Sequence, residues 1–253
     1  MKRESDSKKR VAAQEAEARP RDDSSRPQGE RAGDPLAYAK SLGYSEREVR
    51  SVPAGAAVTH GCGNPIALAQ LQEGQTVLDL GCGGGLDAFL AALKVGPKGR
   101  VIGLDAAPES IEKARANAQA GNYTNVKFRV GTIDKLPLPD KSVDVVISNC
   151  VVNHALDKAA VFREAYRVLK PGGRMFVSDL VTTGKLPDEV LRNADKLWSA
   201  WLAVASDRCA YLNAIEAGGF RTIVVLAEGL FPLAEANSLL RGRIISIQVK
   251  GAK

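Results

Sequence analysis

A glycine-rich loop next to a carboxylate is the first feature of the sequence that could bind a ligand. The loop is Gly81-Cys82-Gly83-Gly84-Gly85, between the apolar run 76–79 and a helical pattern over 86–94. Glycines let a backbone approach a ligand closely, and the N-terminus of the following helix favours a negative group. The loop lacks the third glycine of the dinucleotide fingerprint, and Asp79 would repel a pyrophosphate. A ligand with an ammonium group beside Asp79 and a carboxylate at the helix end suits this loop better.

A second carboxylate extends the expected ligand to a nucleoside. Asp105 ends a predicted strand and lies 22 positions after Gly83, close to the ~20 positions expected for a carboxylate on a ribose diol. An amino acid joined to a nucleoside meets both demands, so the sequence predicts S-adenosylmethionine as the cofactor. Thr132 and Ile133 follow the next strand and are expected to flank the adenine. The predicted cofactor-binding residues are Asp79, Gly81, Cys82, Gly83, Asp105, Thr132, Ile133 and Asn149.

Four cysteines and two histidines are the other candidate ligands. The cysteines are Cys62, Cys82, Cys150 and Cys209, and the histidines are His60 and His154. No two cysteines have the short spacing of a structural zinc site, and four are too few for a disulfide framework in a 26.9 kDa chain. Cys82 suits the glycine loop as a small side chain, and Cys209 is expected to pack in a helix over 207–217. Cys62, in a Gly-Asn-Pro turn, and Cys150, at a strand end, are the candidates for a substrate site.

Strands and helices alternate along the part of the sequence that carries these residues. The predicted strands are 76–79, 100–105, 126–130, 143–148 and 175–179, and the predicted helices are 86–94, 109–118, 159–169 and 207–217. The continuous apolar run 143–148 is typical of a strand buried on both faces, and residues 170–173 (Lys-Pro-Gly-Gly) predict a turn. The alternation predicts an α/β fold, with an open, mostly parallel twisted sheet between helices, and such sheets bind ligands at the carboxyl ends of their strands.

Length and composition favour one folded domain. The chain has 253 residues, of which 45% are hydrophobic and 25% charged. Residues 1–34 are rich in charged residues, serine and proline, and are expected to form a disordered tail, which leaves 35–253 as the domain. The most apolar stretches have about half of the ~20 residues of a membrane-spanning helix, and no N-terminal apolar segment indicates secretion. We therefore expect a cytoplasmic protein, and a monomer.

The charge of the chain gives little support to nucleic-acid binding. The formal net charge is +6 and the isoelectric point is near 9.2, but the basic residues are spread along the sequence. Aromatic residues make up 5% of the chain, which leaves few side chains for stacking on bases. We interpret the charge as a solvated surface.

Three segments resemble the class I methyltransferases, a Rossmann-like group. They are Val77-Leu78-Asp79-Leu80-Gly81-Cys82-Gly83-Gly84-Gly85, Gly103-Leu104-Asp105 and Leu169-Lys170-Pro171-Gly172-Gly173, within residues 74–179. A narrower resemblance to the arsenite methyltransferases covers residues 44–220. It rests on His60-Gly61-Cys62-Gly63-Asn64-Pro65, on Ile147-Ser148-Asn149-Cys150-Val151-Val152-Asn153, and on Tyr44-Ser45, Val49 and Val52-Pro53.

The resemblance implies methyl transfer from S-adenosylmethionine to trivalent arsenic held by the thiolates of Cys62 and Cys150. These two cysteines would be both the catalytic residues and the ligands of the arsenic substrate. The chemistry is compatible with the residues, because a thiophilic element selects sulfur ligands. The arsenic lone pair would attack the methyl group in line, with no demand for a histidine or glutamate base. Small thiols or thioredoxin would act as the reductant.

The sequence departs from the family pattern at a third cysteine. Counted back from Tyr211 and Gly218-Gly219-Phe220, that position is Trp201, and residues 1–61 contain no cysteine. Cys209 lies eight residues after Trp201, and whether it substitutes is open. Two thiolates could hold a methylated trivalent arsenical, or arsenite together with one outside thiol.

Two other functions stay open from the sequence alone. One is methylation of a small organic acceptor, such as a quinone-like or lipid-like molecule, with Trp198 and Trp201 lining an apolar pocket. The other is a non-catalytic protein that binds arsenicals. The first predicts activity that does not depend on Cys62 and Cys150, and the second predicts binding without methyl transfer.

Overall fold

The computed structural model describes residues 34–56, 61–184, 186, 205–231 and 240–253. Several residues singled out in the sequence lie outside these ranges. They are residues 1–33 of the predicted tail, His60, Trp198 and Trp201.

The described residues form seven α-helices and eight strands, with short 3₁₀ turns at Ala54–Ala56 and Val152–His154. The helices are α1 (Pro35–Ser41), α2 (Glu46–Arg50), α3 (Pro65–Leu68), α4 (Leu86–Val95), α5 (Pro108–Ala120), α6 (Lys158–Val168) and α7 (Arg208–Ala217). The strands are β1 (Thr76–Leu80), β2 (Arg100–Asp105), β3 (Val126–Val130), β4 (Val143–Asn149), β5 (Leu169–Thr182), β6 (Ser206–Asp207), β7 (Thr222–Leu230) and β8 (Ile244–Ala252).

The strands form one sheet in the order β3-β2-β1-β4-β5-β8-β7, and β6 pairs with β5. Strands β1 to β5 are parallel: Leu78 of β1 lies between Ile102 of β2 and Val146 of β4. Strand β8 is antiparallel to both β5 and β7. The mostly parallel α/β fold predicted from the sequence is therefore confirmed, and the carboxyl ends of β1, β2, β4 and β5 lie along one edge.

Alternate side chains of the central strands supply two cores, one on each face of the sheet. In β4, Val145 and Ile147 belong to one core and Val146 to the other, as predicted for a strand buried on both faces. The first core packs under α4 and α5 around Phe89 and Phe128, whose rings meet edge to face. The second packs under α6 and α7, and includes these fully buried side chains: Leu78, Phe162, Met175, Tyr211 and Phe220.

The Lys-Pro-Gly-Gly segment at 170–173 is a bulge inside β5 and not a turn before it. Leu169 pairs with Val143 and Arg174 pairs with Val145, so β5 carries extra residues at this point. Gly172 has a φ of 76°, which glycine adopts without strain. The bulge stays in the sheet because the N–H groups of Gly172 and Lys253 bond to the carbonyls of Lys253 and Gly173. The predicted strand over 175–179 was therefore too short at both ends.

Elements near both ends of the folded region were not predicted, although the sequence carries signals for three of them. Asp34-Pro35 is an N-cap followed by a first-turn proline at α1, and Ser45 and Glu48 form a capping box at α2. Ile245, Ile247 and Val249 alternate into the core from β8, the period-2 pattern of a half-buried strand. Strand β7 is largely exposed at the sheet edge, and there the alternation is limited to the half-buried Ile223 and Val225.

We expect Gly218→Ala to destabilise the fold by overpacking the contact between α7 and α6. A Cβ at Gly218 would lie 2.3 Å from the Cβ of Phe162 and 2.8 Å from its backbone carbon. Insertion of a methyl group into a tight contact costs about 1–3 kcal/mol. The free energy of unfolding in urea measures the effect. Gly229→Ala is the matched control, because a Cβ there meets nothing within 4 Å; equal stability of the two variants would contradict the expectation.

Candidate active site

The glycine loop turns the chain from β1 into α4. Gly85 is the N-cap of α4 with a φ of 100°, and Gly83 has a φ of 51°. A Cβ at Gly85 would lie 2.7 Å from the ring of Phe89, whereas a Cβ at Gly83 would meet nothing within 4 Å. Gly85 is thus required for packing, and Gly83 leaves open space beside the backbone, as a ligand-binding loop needs.

Asp105 holds the glycine loop against the end of β2. One carboxylate oxygen accepts the N–H of Gly83 at 2.9 Å, and the other accepts the N–H of Ala107 at 2.9 Å. Each oxygen has a second lone pair, so the carboxylate can also accept hydrogen bonds from a diol. The sequence separation that suggested a ribose-binding carboxylate therefore corresponds to direct contact between loop and strand end.

Asp79 lies at the carboxyl end of β1 and is 2% exposed. Its Oδ2 atom is buried and has no hydrogen-bond partner among the described residues. Burial raises the pKa of Asp79 well above its usual value, and the charges of Asp87 and Asp105 raise it further. An unpartnered buried carboxylate oxygen is costly, so this position fits a ligand that brings a donor or a positive charge.

The other predicted cofactor residues lie along the same edge of the sheet. Thr132 and Ile133 follow β3 and are half-buried, and the N–H of Gly131 before them bonds to the carbonyl of Asp105. Cys82 is buried in the glycine loop, and burial raises the pKa of its thiol. The structure thus places these residues along one edge of the sheet, and their contacts with a cofactor stay predictions.

The side chain of Asn149, at the end of β4, connects the N-terminal segment to the sheet. Its Nδ2 atom donates to the hydroxyl of Tyr44 at 3.0 Å, the carbonyl of Gly63 at 2.8 Å and Oδ2 of Asp87 at 3.1 Å. Its Oδ1 atom accepts the N–H of Cys62 at 3.0 Å. The amide predicted to bind the cofactor is therefore engaged in holding the Cys62 segment.

Tyr44 and Asp87 complete this buried network. The hydroxyl of Tyr44 donates to Oδ1 of Asp87 at 2.7 Å. Burial raises the pKa of Asp87 to about 6, and the hydrogen bonds from Tyr44 and Asn149 oppose that rise. Burial also raises the pKa of Tyr44 well above its usual value. The network fixes the segment that carries Cys62 against the first turn of α4.

Cys62 is buried and held through its own backbone. Its N–H donates to Asn149, and its carbonyl accepts the hydroxyl of Ser246 from β8. Gly63 is closely packed, since a Cβ there would lie 2.8 Å from Oγ of Ser178. The next residue, Asn64, is the N-cap of α3 and accepts the N–H of Ala67. The Gly-Cys-Gly-Asn-Pro turn is thus fixed on both sides of the cysteine.

Cys150 occupies the position directly after β4 with a φ of 60°. A left-handed conformation is unfavourable for a residue with a Cβ, and such strain is concentrated at functional sites. The N–H of Cys150 donates to the carbonyl of Ser178 at 2.8 Å, which ties the strained residue to β5. This turn ends β4 and places the Cys150 side chain at the edge of the sheet.

The sulfurs of Cys62 and Cys150 and a carboxylate oxygen of Asp179 all lie within 4.8 Å of one another, and all three residues are buried. The sequence singled out both cysteines and gave no role to Asp179. Burial raises the pKa of Cys62, and so do Cys150 and the charge of Asp179. For Cys150, a hydrogen bond with Cys62 lowers the pKa while burial and Asp179 raise it, and the result is a raised pKa. The pair is therefore held as neutral thiols in the absence of a ligand.

Asp179, in β5, accepts four hydrogen bonds. The donors are Nδ2 of Asn153 at 2.7 Å, the N–H of Leu180 at 3.0 Å, the hydroxyl of Tyr211 at 3.1 Å and the N–H of Asn153 at 3.2 Å. Burial raises the pKa of Asp179 to about 6, and these donors oppose the rise. Asp179 is an acidic residue at the end of a predicted apolar strand, like Asp79, so the same sequence feature could have identified it.

Cys209 and His154 lie outside the cluster of Cys62, Cys150 and Asp179. Cys209 lies in the first turn of α7 and is exposed, so the expectation that it packs in the interior was wrong. The buried face of α7 is formed by Tyr211 and Ile215, one helical turn apart. His154 is half-buried after β4, and burial lowers its pKa. Of the cysteines in the described part of the chain, Cys62 and Cys150 are the ones that come together with a carboxylate.

Comparison with known proteins identifies the family to which the chain belongs. A family model described as a methyltransferase domain matches residues 71–219. The crystal structure of CrArsM, an arsenic (III) S-adenosylmethionine methyltransferase from Chlamydomonas reinhardtii, is 35% identical with a TM-score of 0.68, and the match covers 88% of this chain and 75% of that one. The chain belongs to the arsenite methyltransferase family. This confirms the family and the class I methyltransferase fold indicated by the sequence motifs.

Two curated members of the family illustrate the extent of the match. The arsenite methyltransferase of Halobacterium salinarum is 54% identical over 159 residues, which are 63% of this chain and 41% of that protein. The human arsenite methyltransferase is 36% identical over 155 residues, which are 58% of this chain and 40% of that protein. The chain thus spans about two-fifths of the length of these relatives. In the ranges that the structure describes, no helix has both the length and the apolar character needed to cross a bilayer.

We expect Asp79 to make the stability of the ligand-free protein depend on pH. Its native pKa is raised above the unfolded value of 3.8, so its contribution is fully present below pH 3.8 and is lost as the pH rises through the native pKa. Each unit of the rise corresponds to about 1.4 kcal/mol. Urea unfolding from pH 4 to pH 8 should show that the wild type loses stability relative to Asp79→Asn.

The exposed Asp157 provides a control of opposite sign. A hydrogen bond from the N–H of Ala160 lowers its pKa, so its contribution is present above pH 3.8 and is lost as the pH falls. The difference between wild type and Asp157→Asn should therefore change little above pH 5. A constant difference between wild type and Asp79→Asn over the whole range would contradict the expected role of Asp79.

Proposed function

We propose that this protein is an S-adenosylmethionine-dependent methyltransferase that methylates trivalent arsenic bound by the thiolates of Cys62 and Cys150. The observation that carries the proposal is the meeting of two buried sulfurs, from segments on either side of the glycine loop, within 4.8 Å of each other. Membership of the arsenite methyltransferase family supports it. Soft trivalent arsenic selects sulfur ligands, and no other described pair of cysteines forms such a cluster.

The edge of the sheet that carries Asp79 and Asp105 fits S-adenosylmethionine, which supplies an electrophilic methyl group. The unpartnered oxygen of Asp79 is suited to the ammonium group of the methionine moiety. Asp105, already bonded to the loop at Gly83, is suited to the ribose hydroxyls. Thr132 and Ile133, after β3, would flank the adenine. These residues bind and orient the cofactor, and the two cysteines position the arsenic.

Capture of the arsenical needs no separate base. Each thiol displaces one hydroxyl group of the arsenical, a sulfur–arsenic bond forms, and the thiol proton leaves with that hydroxyl as water. The raised pKa values of Cys62 and Cys150 are compatible with this route, because no free thiolate has to exist in the buried site. Burial of both sulfurs also protects the bound arsenical from water.

A site with two thiolates suits methylarsenite better than arsenite, because the two compounds differ in the number of hydroxyl groups that a thiol can replace. Methylarsenite has two exchangeable hydroxyls and becomes fully thiolated by Cys62 and Cys150. Arsenite has three, so one hydroxyl remains or an outside thiol takes its place. We propose that both are substrates and that arsenite turnover rises when a small thiol is added, because the family resemblance counts Trp201 at the position of the third cysteine.

The site also indicates the surroundings in which the protein acts. All four cysteines are free, which suits a reducing compartment such as the cytoplasm. Methylation leaves arsenic in a pentavalent, oxidised form, so a two-electron reductant such as a small thiol or thioredoxin must restore the trivalent state. We propose that the protein works as a monomer with such a reductant.

Cys62→Ser and Cys150→Ser should each lower the methylation rate of arsenite and methylarsenite at least ~100-fold, because a hydroxyl is a poor ligand for a thiophilic element. Products from labelled S-adenosylmethionine measure the rate, and calorimetry should show nearly unchanged cofactor affinity. Cys209→Ser is the matched control, an exposed cysteine outside the cluster, and should keep the parent rate.

Two results would contradict this assignment of the arsenic ligands. Parent rates in both serine variants would show that the methyl acceptor is not bound by these thiols, as expected for a small organic acceptor. Inactivity of Cys209→Ser alone would place the offset cysteine in the metalloid site. Arsenical binding by the wild type without any methylated product would identify a binding protein instead.

Asp105→Asn should weaken S-adenosylmethionine binding about tenfold to hundredfold, or roughly 1.5–3 kcal/mol, because hydrogen bonds to a charged acceptor are lost. Calorimetric titration of the cofactor measures the change. Asp157→Asn makes the same substitution at the N-cap of α6, where asparagine caps as well as aspartate. Equal cofactor affinities in the two variants would remove Asp105 from the cofactor site.

A further inference from the structure

We propose that the carboxylate of Asp179 stabilises the positive charge that develops on arsenic during methyl transfer. The inference rests on the proposed function and adds a residue to the same reaction. Asp179 belongs to the cluster in which its carboxylate oxygen and the sulfurs of Cys62 and Cys150 lie within 4.8 Å of one another. An arsenic atom bonded to both sulfurs lies one covalent bond from each and is therefore a near neighbour of this carboxylate.

The hydrogen bonds of Asp179 distinguish this role from that of a third arsenic ligand. Oδ1 accepts from Nδ2 of Asn153 and the N–H of Leu180, and Oδ2 accepts from the hydroxyl of Tyr211 and the N–H of Asn153. Two donors to each oxygen occupy both of its lone pairs. The carboxylate thus acts through its field and is not available for an arsenic–oxygen bond.

The same four donors orient the carboxylate of Asp179 without neutralising its negative charge. All four are uncharged groups, so they orient the carboxylate and leave its net charge intact. Asp179 is 1% exposed, and a charge in such surroundings acts on its neighbours with little screening by water. A buried, preorganised charge aimed at the place where opposite charge develops is the arrangement that contributes most to catalysis in many enzymes.

The charge balance of methyl transfer shows why a carboxylate belongs at this position. The arsenic lone pair forms the new arsenic–carbon bond, and the electron pair of the broken carbon–sulfur bond returns to the cofactor sulfur. One unit of positive charge therefore moves from that sulfur to arsenic, while the bisthiolate arsenical was neutral before the step. The carboxylate attracts the transition state more than the bound trivalent substrate, so it lowers the barrier without strengthening substrate binding.

The experiment separates the rate of methyl transfer from the binding of the arsenical. Asp179→Asn keeps the shape of the side chain and removes the charge. We expect its single-turnover rate with methylarsenite to fall about tenfold to hundredfold. Its affinity for methylarsenite, measured by calorimetry without cofactor, should stay within about threefold of wild type. Asp157→Asn removes an exposed charge at the start of α6 and should leave both quantities unchanged.

Tyr211→Phe provides a second, independent variant, because the amide introduced by Asp179→Asn could disturb the donors around it and impair folding. Tyr211→Phe removes one of the four donors. Because this donor lowers the pKa of Asp179, wild type and variant are compared at about pH 9, well above the wild-type pKa of about 6, where the carboxylate keeps its charge. The proposal predicts a single-turnover rate within about threefold of wild type. A fall of tenfold or more, with unchanged affinity for methylarsenite, would show that an anchored side chain matters and not its charge, and would overturn the proposal.

Two results from Asp179→Asn would also overturn it. One is a single-turnover rate within twofold of wild type. The other is a loss of methylarsenite affinity as large as the loss of rate, which would identify a ligand. The wild type measured alongside separates these failures from a failure of the proposed function: a wild type that methylates no arsenical refutes both, whereas a retained rate in Asp179→Asn refutes this inference alone.

Discussion

The arrangement of the site depends on the side-chain amide of Asn149. From the end of the central strand β4, it bonds to the backbone on both sides of the Cys62 sulfur, at the N–H of Cys62 and the carbonyl of Gly63. It also reaches Tyr44 and Asp87. One rigid amide at a strand end thereby fixes an N-terminal segment whose described residues, 34–56 and 61–75, contribute no strand to the sheet. Since Cys150 is the next residue of the chain, the same anchor sets the separation of the two thiols.

The strain at Cys150 is a consequence of this arrangement. A parallel strand that continued in extended conformation would carry residue 150 beyond the sheet edge, whereas the φ of 60° ends β4 at once. A non-glycine residue held in this region costs of order 1–3 kcal/mol, and the surrounding structure must over-determine it. Here the bond from its N–H to Ser178 and the anchoring of its neighbour Asn149 do so. The conformation is therefore maintained by β5 and by the Cys62 segment together.

The part of the fold that was predictable is the part encoded by local pattern. Apolar runs located β1 and β4, because strands buried on both faces have no regular polar alternation. Strand β3 instead alternates Val126, Phe128 and Val130 with basic residues. Asp79 and Asp105 were found because a carboxylate at a strand end faces the ligand edge of a parallel sheet. The pairing of Cys62 with Cys150 came from family resemblance, since no local rule brings together residues on opposite sides of two βα units. Asp179 ends the predicted strand 175–179, so the rule that found Asp79 could have found it as well, whereas its hydrogen bonds with Tyr211 and Asn153 are visible only in the folded chain.

Three buried acidic side chains surround the expected binding site, and their electrostatics connect stability with ligand binding. Burial raises the pKa of each of Asp79, Asp87 and Asp179, so ionisation of these groups destabilises the protein when no ligand is present. A cofactor with a sulfonium and an ammonium group brings positive charge to this region and favours the ionised state. A group that binds more tightly to the ionised protein also stabilises the fold at neutral pH, by linkage. The carboxylates whose ionisation is costly in the empty site are thus suited to bind the positively charged cofactor, at Asp79, and to stabilise the positive charge that methyl transfer would place on arsenic, at Asp179.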